Sequence, residues 1–257
     1  MSTDNSRKTI YVAGYPKSGT TWLTRLLGDA LNCPTGASIP AHDATEPAAG
    51  GWDRPGPYIV RKGHYWLESY AGDEPVVPAA HRLRFAKLTD PVVFIVRDPR
   101  DIAVSAAHFH SRSIETVVDR MISGSSYNLP AWNMYAHQWM AFLRSYAQPK
   151  ELRACFVRYE DLLHSPVHRL RFVLSQIDTG VEPWRIRTAV VRQSFHHVKK
   201  QVASHGDKMP GGKALNQKLL RKGQIGDWRG QLTGEPLRKL EGAFGETMKE
   251  LGYEIGE

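Results

Sequence analysis

Cysteine is nearly missing from this chain: Cys33 and Cys155 are its 2 cysteines in 257 residues, far apart and without paired spacing. That excludes a disulfide framework and a cysteine-built zinc site, and leaves two reduced thiols as the expectation. Long apolar runs are missing too. Stretches such as Val92 to Val96 are far too short to cross a bilayer, and the opening MSTDNSRK has no apolar segment of the signal-peptide kind. The expectation is a cytoplasmic protein without stable membrane insertion. There is no internal repeat and no low-complexity tract. Acidic residues are in deficit, 26 against 34 Lys and Arg, for a net charge of +8. An anionic partner follows, whether nucleic acid, membrane surface or polyanionic small molecule, and charge alone does not choose between them. Apolar residues, at 41%, are sufficient for a sizeable core. The length suits one domain over 1–257, with 1–8 as a flexible start.

Short β-branched runs alternate with helix-like segments, the pattern of an α/β fold with a central parallel sheet covered by helices on both faces. Strands are expected over 9–14, 58–61, 92–96 and 154–157. Leu23, Leu26, Leu27, Ala30 and Leu31 recur at helical spacing over 20–31, and Trp132, Tyr135, Trp139 and Phe142 over 130–146, where the aromatics suit a core. Leu237, Leu240, Phe244, Met248 and Leu251 mark a last helix, with Thr233 as N-cap and Gly252 as its stop. Three stretches lack such order: a Gly- and Pro-rich loop over 34–57, of the kind used as lids or substrate loops, a polar, partly helical stretch over 111–129, and a basic, Gly-rich stretch over 203–214.

The stretch YPKSGTTWL follows the first strand and resembles a phosphate loop that lacks its usual lysine. In G-x-x-x-x-G-K-[ST] the lysine follows the second glycine and reaches the β- and γ-phosphates. Here the frame runs from Gly14 to Gly19, Thr20 and Thr21 follow, and the lysine stands earlier, at Lys17. A strand, a glycine turn and the first N–H groups of a helix still make an anion cradle. Lys17 on the leading side suits a terminal group on a 5′-phosphate and makes no demand for a γ-phosphate or magnesium.

FIVRDPRDIAVS suggests a second anion site. Asp98 with Pro99 is a helix start, so Arg97 stands at a strand's C-terminal end, where open parallel sheets bind ligands, with Ser105 two turns into the helix. A guanidinium and a hydroxyl converging on one phosphate is sensible chemistry, although Arg100 and Asp101 next door read equally well as a solvated surface pair. Arg221, Lys222 and Gly223 form a third basic group, a phosphate clamp or, taken alone, a plain charge run.

Together, the loop with the early lysine, R-D-P-R-D-x-x-x-S and R-K-G-x-x-G-D-W resemble the sulfotransferases that use 3′-phosphoadenosine-5′-phosphosulfate (PAPS), over residues 11–228. A soluble, cytosolic-type member of bacterial type is expected, with the family's P-loop NTPase-like fold. The resemblance implies that Lys17, Ser18, Gly19, Thr20, Thr21 and Trp22 bind the 5′-phosphosulfate, with Trp22 beside the adenine. It implies that Arg97 and Ser105 bind the 3′-phosphate with the clamp Arg221, Lys222 and Gly223. Tyr159 corresponds to an adenine contact, and Ser194 and Phe195 to a segment closing over adenine and sugar. Lys62 and His64, in YIVRKGHYW, match the family's lysine-x-histidine. Sulfuryl transfer needs a base for the nucleophile and positive charge for the leaving oxygen, roles suited to His64 and to Lys62 with Lys17. The product is adenosine 3′,5′-bisphosphate (PAP).

The acceptor is expected to be a small molecule or saccharide with a hydroxyl or amine; around it the sequence offers only Trp52 and Tyr58 as aromatics. No metal is expected, since His108 with His110 and His196 with His197 lack metal-site spacing; His108 reads as a helix-surface residue in preference to a border of the acceptor pocket. A lysine, threonine-valine and glutamate dimer motif of eukaryotic members is replaced here by Arg229, Thr233-Gly234 and Arg238, and the oligomeric state stays open. The rivals are a small-molecule or nucleoside kinase, which needs Lys at position 20 and a magnesium carboxylate, a nucleic-acid-binding module, and an inactive nucleotide-binding protein. Cations confined to phosphate-site motifs speak against nucleic acid.

Overall fold

The computed structural model describes residues 7–37, 54–64, 66–67, 82–83, 90–125, 129–145, 154–177, 180–205, 218 and 220–256. Most of the 34–57 loop, with Trp52, and the 203–214 stretch beyond residue 205 lie outside them. Strands β1 (Lys8–Ala13), β2 (Thr35–Ala37), β3 (Tyr58–Gly63), β6 (Val92–Val96) and β7 (Ala154–Arg158) form one parallel sheet in the order β2-β3-β1-β6-β7. A small parallel pair, β4 (Trp66–Leu67) and β5 (Arg82–Leu83), stands apart. The strand boundaries fall within two residues of expectation, and Lys8, assigned to the flexible start, already pairs with Tyr58.

The central strands carry apolar side chains on both faces, as a sheet covered twice requires. From β6, Val92, Phe94 and Val96 enter one core with α2 (Pro99–His110), α3 (Ile114–Ser123), α4 (Trp132–Ser145) and α9 (Gly234–Glu250). Val93 and Ile95 enter the other, with Ile10 and Val12 of β1, beside α1 (Thr20–Leu31), α5 (Tyr159–His164), α6 (Pro166–Gln176) and α7 (Pro183–Arg192). Helix α8 (Phe195–His205) follows α7 directly, and a short 3-10 turn spans Asp227–Gly230. The Trp and Tyr residues of α4 are core: Trp139 stacks on Phe94 at 5.3 Å and 9° and meets Phe142 edge-on at 5.7 Å. Trp139→Ala is expected to cost about 3–5 kcal/mol in urea unfolding, a large part of a typical domain's stability.

Several expectations need correction. Thr233 holds the N-cap position of α9, but its side chain makes no cap hydrogen bond; Gly252 does end the helix, at φ 75. Arg100 and Asp101 are not a surface pair: they are 3% and 1% exposed. Arg100 forks onto Asp98 at 2.8 Å and onto Glu241 at 2.7 Å, so it ties the start of α2 to α9. Tyr58 stands at the N-terminal end of β3, paired with Lys8, away from the edge where ligands bind. Both cysteines are buried and free, and burial pushes the Cys155 thiol up to about 12. Among the described residues no helix is long and apolar enough to cross a membrane.

The topology fixes the position of the site. The chain leaves β1 to build β2 and β3 on one side and returns to place β6 on the other, so a crevice opens at the C-terminal ends where the winding reverses. Gly14, His64, Arg97 and Tyr159 are each the first residue beyond β1, β3, β6 and β7. Four strands therefore deliver four site residues to one edge.

Candidate active site

The loop between β1 and α1 is built around close approaches. A Cβ on Gly14 would lie 2.7 Å from the Ile95 carbonyl oxygen, and one on Gly19 would lie 2.6 Å from the Tyr159 ring. Lys17 and Gly19 take left-handed conformations, φ 71 and 95. For lysine that conformation costs about 1 kcal/mol or more, a strain that surrounding structure must hold. The Ser18 N–H donates to the Tyr15 carbonyl at 3.1 Å within the turn, while α1 brings no acidic residue in its first turn and no side-chain cap to occupy its first N–H groups. Ser18 is fully buried, and its Oγ has no hydrogen-bond partner among the described residues.

Beyond β3, Lys62 Nζ donates to Thr21 Oγ1 at 2.7 Å. His64 Nδ1 lies 2.6 Å from the Gly14 carbonyl oxygen, which only accepts, so Nδ1 carries a proton and in the neutral ring Nε2 bears the lone pair. Lys17 Nζ rests 4.0 Å over the Phe109 ring. Burial, reinforced by Arg97, Lys62 and Arg221, lowers the Lys17 ammonium to about 7; burial and Arg25 lower Lys62 to about 8.

Arg97 donates to the Lys17 and Gln224 carbonyls at 3.3 and 3.0 Å and lies 4.4 Å over the Tyr159 ring. The Asp98 side chain caps α2 by accepting from the Arg100 N–H, with Pro99 in the first turn, as expected. Asp101 accepts from the N–H groups of Gly226 and Trp228 at 2.9 and 3.1 Å, which fastens the GDW segment to α2. Asp227 then holds Arg221 and Lys222, each at 2.6 Å. Burial alone would raise the Asp227 carboxyl, but these two cations hold it at about 2. The third basic group is thus a supported pair rather than a charge run.

These groups surround one cavity of about 310 Å³. Its lining includes Lys17, Gly19, Thr20, Thr21, Trp22, Lys62, His64, Arg97, Ser105, Tyr159, Phe195, Arg221, Lys222 and Gly223. Ser18 is buried beneath the loop, and Ser194 lies off the lining between Gln193 and Phe195. Trp22 and Tyr159 meet edge-on at 5.8 Å, and a Cβ on Gly223 would lie 2.6 Å from the Phe195 ring. Arg25, Phe109, Gln193 and Gln224 also line the cavity, and sequence reasoning missed them. Phe109 follows Ser105 by one helical turn, a signal that was legible; Gln193 gave none beyond its place next to Ser194 and Phe195. Among the described residues no carboxylate lines the cavity, and no His, Cys, Asp and Glu group of metal-site geometry occurs. His108 is on the helix surface as expected, 2.8 Å from Gln231 Oε1.

The lowered lysines carry a pH signature. An anion placed beside them raises both toward their ordinary values, so binding takes up protons wherever the free ammonium groups have begun to deprotonate. We expect uptake of about one proton or more per anion bound near pH 8 and almost none near pH 5.5, with affinity falling as pH rises through 7 to 8. Calorimetry in buffers of different ionisation enthalpy measures the uptake directly.

Comparison with known proteins adds the following. A family model described as Sulfotransferase domain matches residues 7–252. Cytosolic sulfotransferase 3 of Arabidopsis thaliana is 27% identical over 261 residues, covering 94% of this chain and 77% of that protein. Sulfotransferase 1 family member D1 of Rattus norvegicus is 23% identical over 266 residues, covering 94% and 83%. Among solved structures, mouse sulfotransferase SULT7A1 complexed with PAP matches with a TM-score of 0.68 at 19% identity, over 94% of this chain and 84% of that one. Retinol dehydratase in complex with androsterone and inactive cofactor PAP matches at 0.63 and 15%, over 97% and 82%. At these identities the structural likeness is one of fold.

Proposed function

This chain belongs to the sulfotransferase domain family, and from that premise we propose that it moves a sulfuryl group from PAPS to a hydroxyl or amine of a small-molecule or saccharide acceptor. The observation that carries this reading is the gathering of cations and hydroxyls on one cavity: Lys17, Lys62, Thr20 and Thr21 from the loop side of the sequence motifs, and Arg97, Ser105, Arg221 and Lys222 from the other two motifs, all line it. A nucleotide phosphorylated at both ends of its ribose fits such a site. The Ser18 Oγ and the Arg97 Nε, neither with a hydrogen-bond partner among the described residues, are two further polar groups of these motifs.

When bound, PAPS supplies a sulfur that gains a bond to the acceptor oxygen or nitrogen as its bond to the phosphate oxygen breaks, which leaves PAP. In this reading the loop N–H groups with Lys17 hold the 5′ end, and Arg97, Ser105, Arg221, Lys222 and Gly223 hold the 3′-phosphate. Trp22, Tyr159 and Phe195, with Ser194 positioning the last, flank the base. His64 Nε2 takes the acceptor proton, its ring fixed through Nδ1 by the Gly14 carbonyl. Lys62 and Lys17 stabilise charge growing on the departing oxygen. The relative with androsterone bound, and a second structure of retinol dehydratase with retinol and PAP, support a small-molecule acceptor. The proposal takes residues 1–257 as one unit, working in the cytoplasm, with no metal and no nucleic-acid partner.

A kinase reading is the alternative from the same fold, and two features oppose it: Thr20 stands where the kinase lysine belongs, and among the described residues no carboxylate lines the cavity to hold magnesium. Titrating adenosine 3′,5′-bisphosphate against ADP with magnesium in a calorimeter decides between them. Tight, magnesium-independent binding of the bisphosphate with much weaker ADP binding is the expected result; preference for ADP with magnesium overturns the proposal.

A further inference from the structure

Gln193, the C-cap of α7 one step before Ser194 and Phe195, is 4% exposed, and its polar side-chain atoms are hydrogen-bonded. Its backbone carbonyl accepts from Trp22 Nε1 at 2.9 Å, its Oε1 accepts from Arg25 Nε at 2.9 Å, and its Nε2 donates to Asp29 Oδ2 at 2.9 Å. The amide orientation is dictated by chemistry, because a guanidinium only donates and a carboxylate only accepts. All three partners lie on α1 at spacings of three and four residues, so one side of α1 is gripped over two turns. The grip is anchored at its far end, where Asp29 Oδ1 accepts from Arg54 at 2.9 Å and stands 3.6 Å from Arg192.

Trp22 and Phe195 both line the cavity, one on α1 and one at the start of α8. Gln193 is the covalent neighbour-but-one of the second and a hydrogen-bond partner of the first. Losing this amide would remove two buried hydrogen bonds to charged groups, one to Arg25 and one to Asp29, so the placement of the segment that carries Phe195 is held by charge-assisted contacts to α1.

We propose that Gln193, locked between Arg25 and Asp29, is a positioning residue that sets the Trp22 to Phe195 slot and thereby makes the site selective for one nucleotide base. The inference rests on the nucleotide reading of the cavity. It adds residues that do not themselves bind phosphate, so their effect separates from that of the phosphate cradle.

The test is calorimetric binding of adenosine 3′,5′-bisphosphate and guanosine 3′,5′-bisphosphate to the wild-type chain, Gln193→Met and Gln193→Glu. Methionine keeps the length and loses the hydrogen bonds. It is expected to weaken the adenosine ligand by about tenfold and the guanosine ligand far less, so that the preference collapses. Glutamate keeps the contact to Arg25 but opposes one carboxylate to another, so near pH 8 it is expected to resemble methionine. Relative to wild type it recovers toward pH 5.5, because a shared proton then replaces the missing amide hydrogen. Recovery with an intact base preference supports the relay, and thermal melts of each variant verify folding. Equal weakening of both nucleotides, or no change from wild type, overturns it. A wild-type chain that binds neither bisphosphate overturns the nucleotide reading itself, and this inference with it.

Discussion

Replacing His64 with alanine is expected to lower kcat by about a thousandfold while affinity for adenosine 3′,5′-bisphosphate stays within about twofold, the range general-base catalysis commonly supplies. The geometry gives the two halves of that expectation separate causes. In the proposed reading, nucleotide binding draws on the loop N–H groups, Lys17, Arg97 and the Arg221 and Lys222 pair; the Arg97 side chain is held by the Lys17 and Gln224 carbonyls, and the pair by Asp227. Proton removal draws on Nε2, whose lone pair exists only because Nδ1 spends its proton on the Gly14 carbonyl 2.6 Å away. His64→Asn sharpens the test. Its amide N–H₂ can still reach that carbonyl, so loop geometry is preserved, but it has no basic nitrogen. If asparagine matches alanine in lost turnover, the role is proton transfer; if asparagine restores most of kcat, His64 acts by holding the loop. Wild-type turnover in both variants would remove the base assignment.

The sheet and the cradle were legible because each rests on local chemistry. The run Val92 to Val96 has no polar side and must be buried twice, and Asp98 with Pro99 marks a helix start whatever surrounds it. Loop, second strand and clamp were found as separate motifs, and parallel pairing then brought Gly14, His64, Arg97 and Tyr159 to one edge. Legibility failed where meaning comes from a distant partner. Arg100 and Asp101 look like surface charges until α9 supplies Glu241 and the GDW segment supplies two N–H groups. Thr233 has the right residue type at the right place but makes no cap bond. By sequence Tyr58 joins Trp52 as an aromatic for the acceptor, yet it opens the six-residue strand whose far end meets the ligand edge. The helices over 159–205 are short, with few buried positions each, so their periodicity is weak. The Gln193 relay joins residues 164 and 168 positions apart, which no local pattern encodes.

Arg97→Ala is the second large effect. It is expected to weaken adenosine 3′,5′-bisphosphate by about 100-fold or more while adenosine 5′-phosphate changes only a few-fold, as suits loss of a charge-assisted contact to one phosphate. The guanidinium is held before any ligand arrives: two carbonyls accept from it, Asp101 stands 3.6 Å away, and the Tyr159 ring lies beneath it at 4.4 Å. Its Nε, lacking a partner among the described residues, keeps a donor in reserve. Such a group is already oriented, so little ordering cost opposes its contact with a phosphate. Loss of Arg97 leaves Asp101 still bound by the N–H groups of Gly226 and Trp228, so the fold retains its link between α2 and the clamp, and the melting temperature should fall only modestly. Arg97→Lys tests the geometry within the charge: a single ammonium cannot span the Lys17 and Gln224 carbonyls and stack on Tyr159 at once. It is expected to recover less than a tenth of the lost affinity. Full recovery by lysine would reduce Arg97 to a point charge, and equal losses for the two nucleotides would move the 3′-phosphate site away from it.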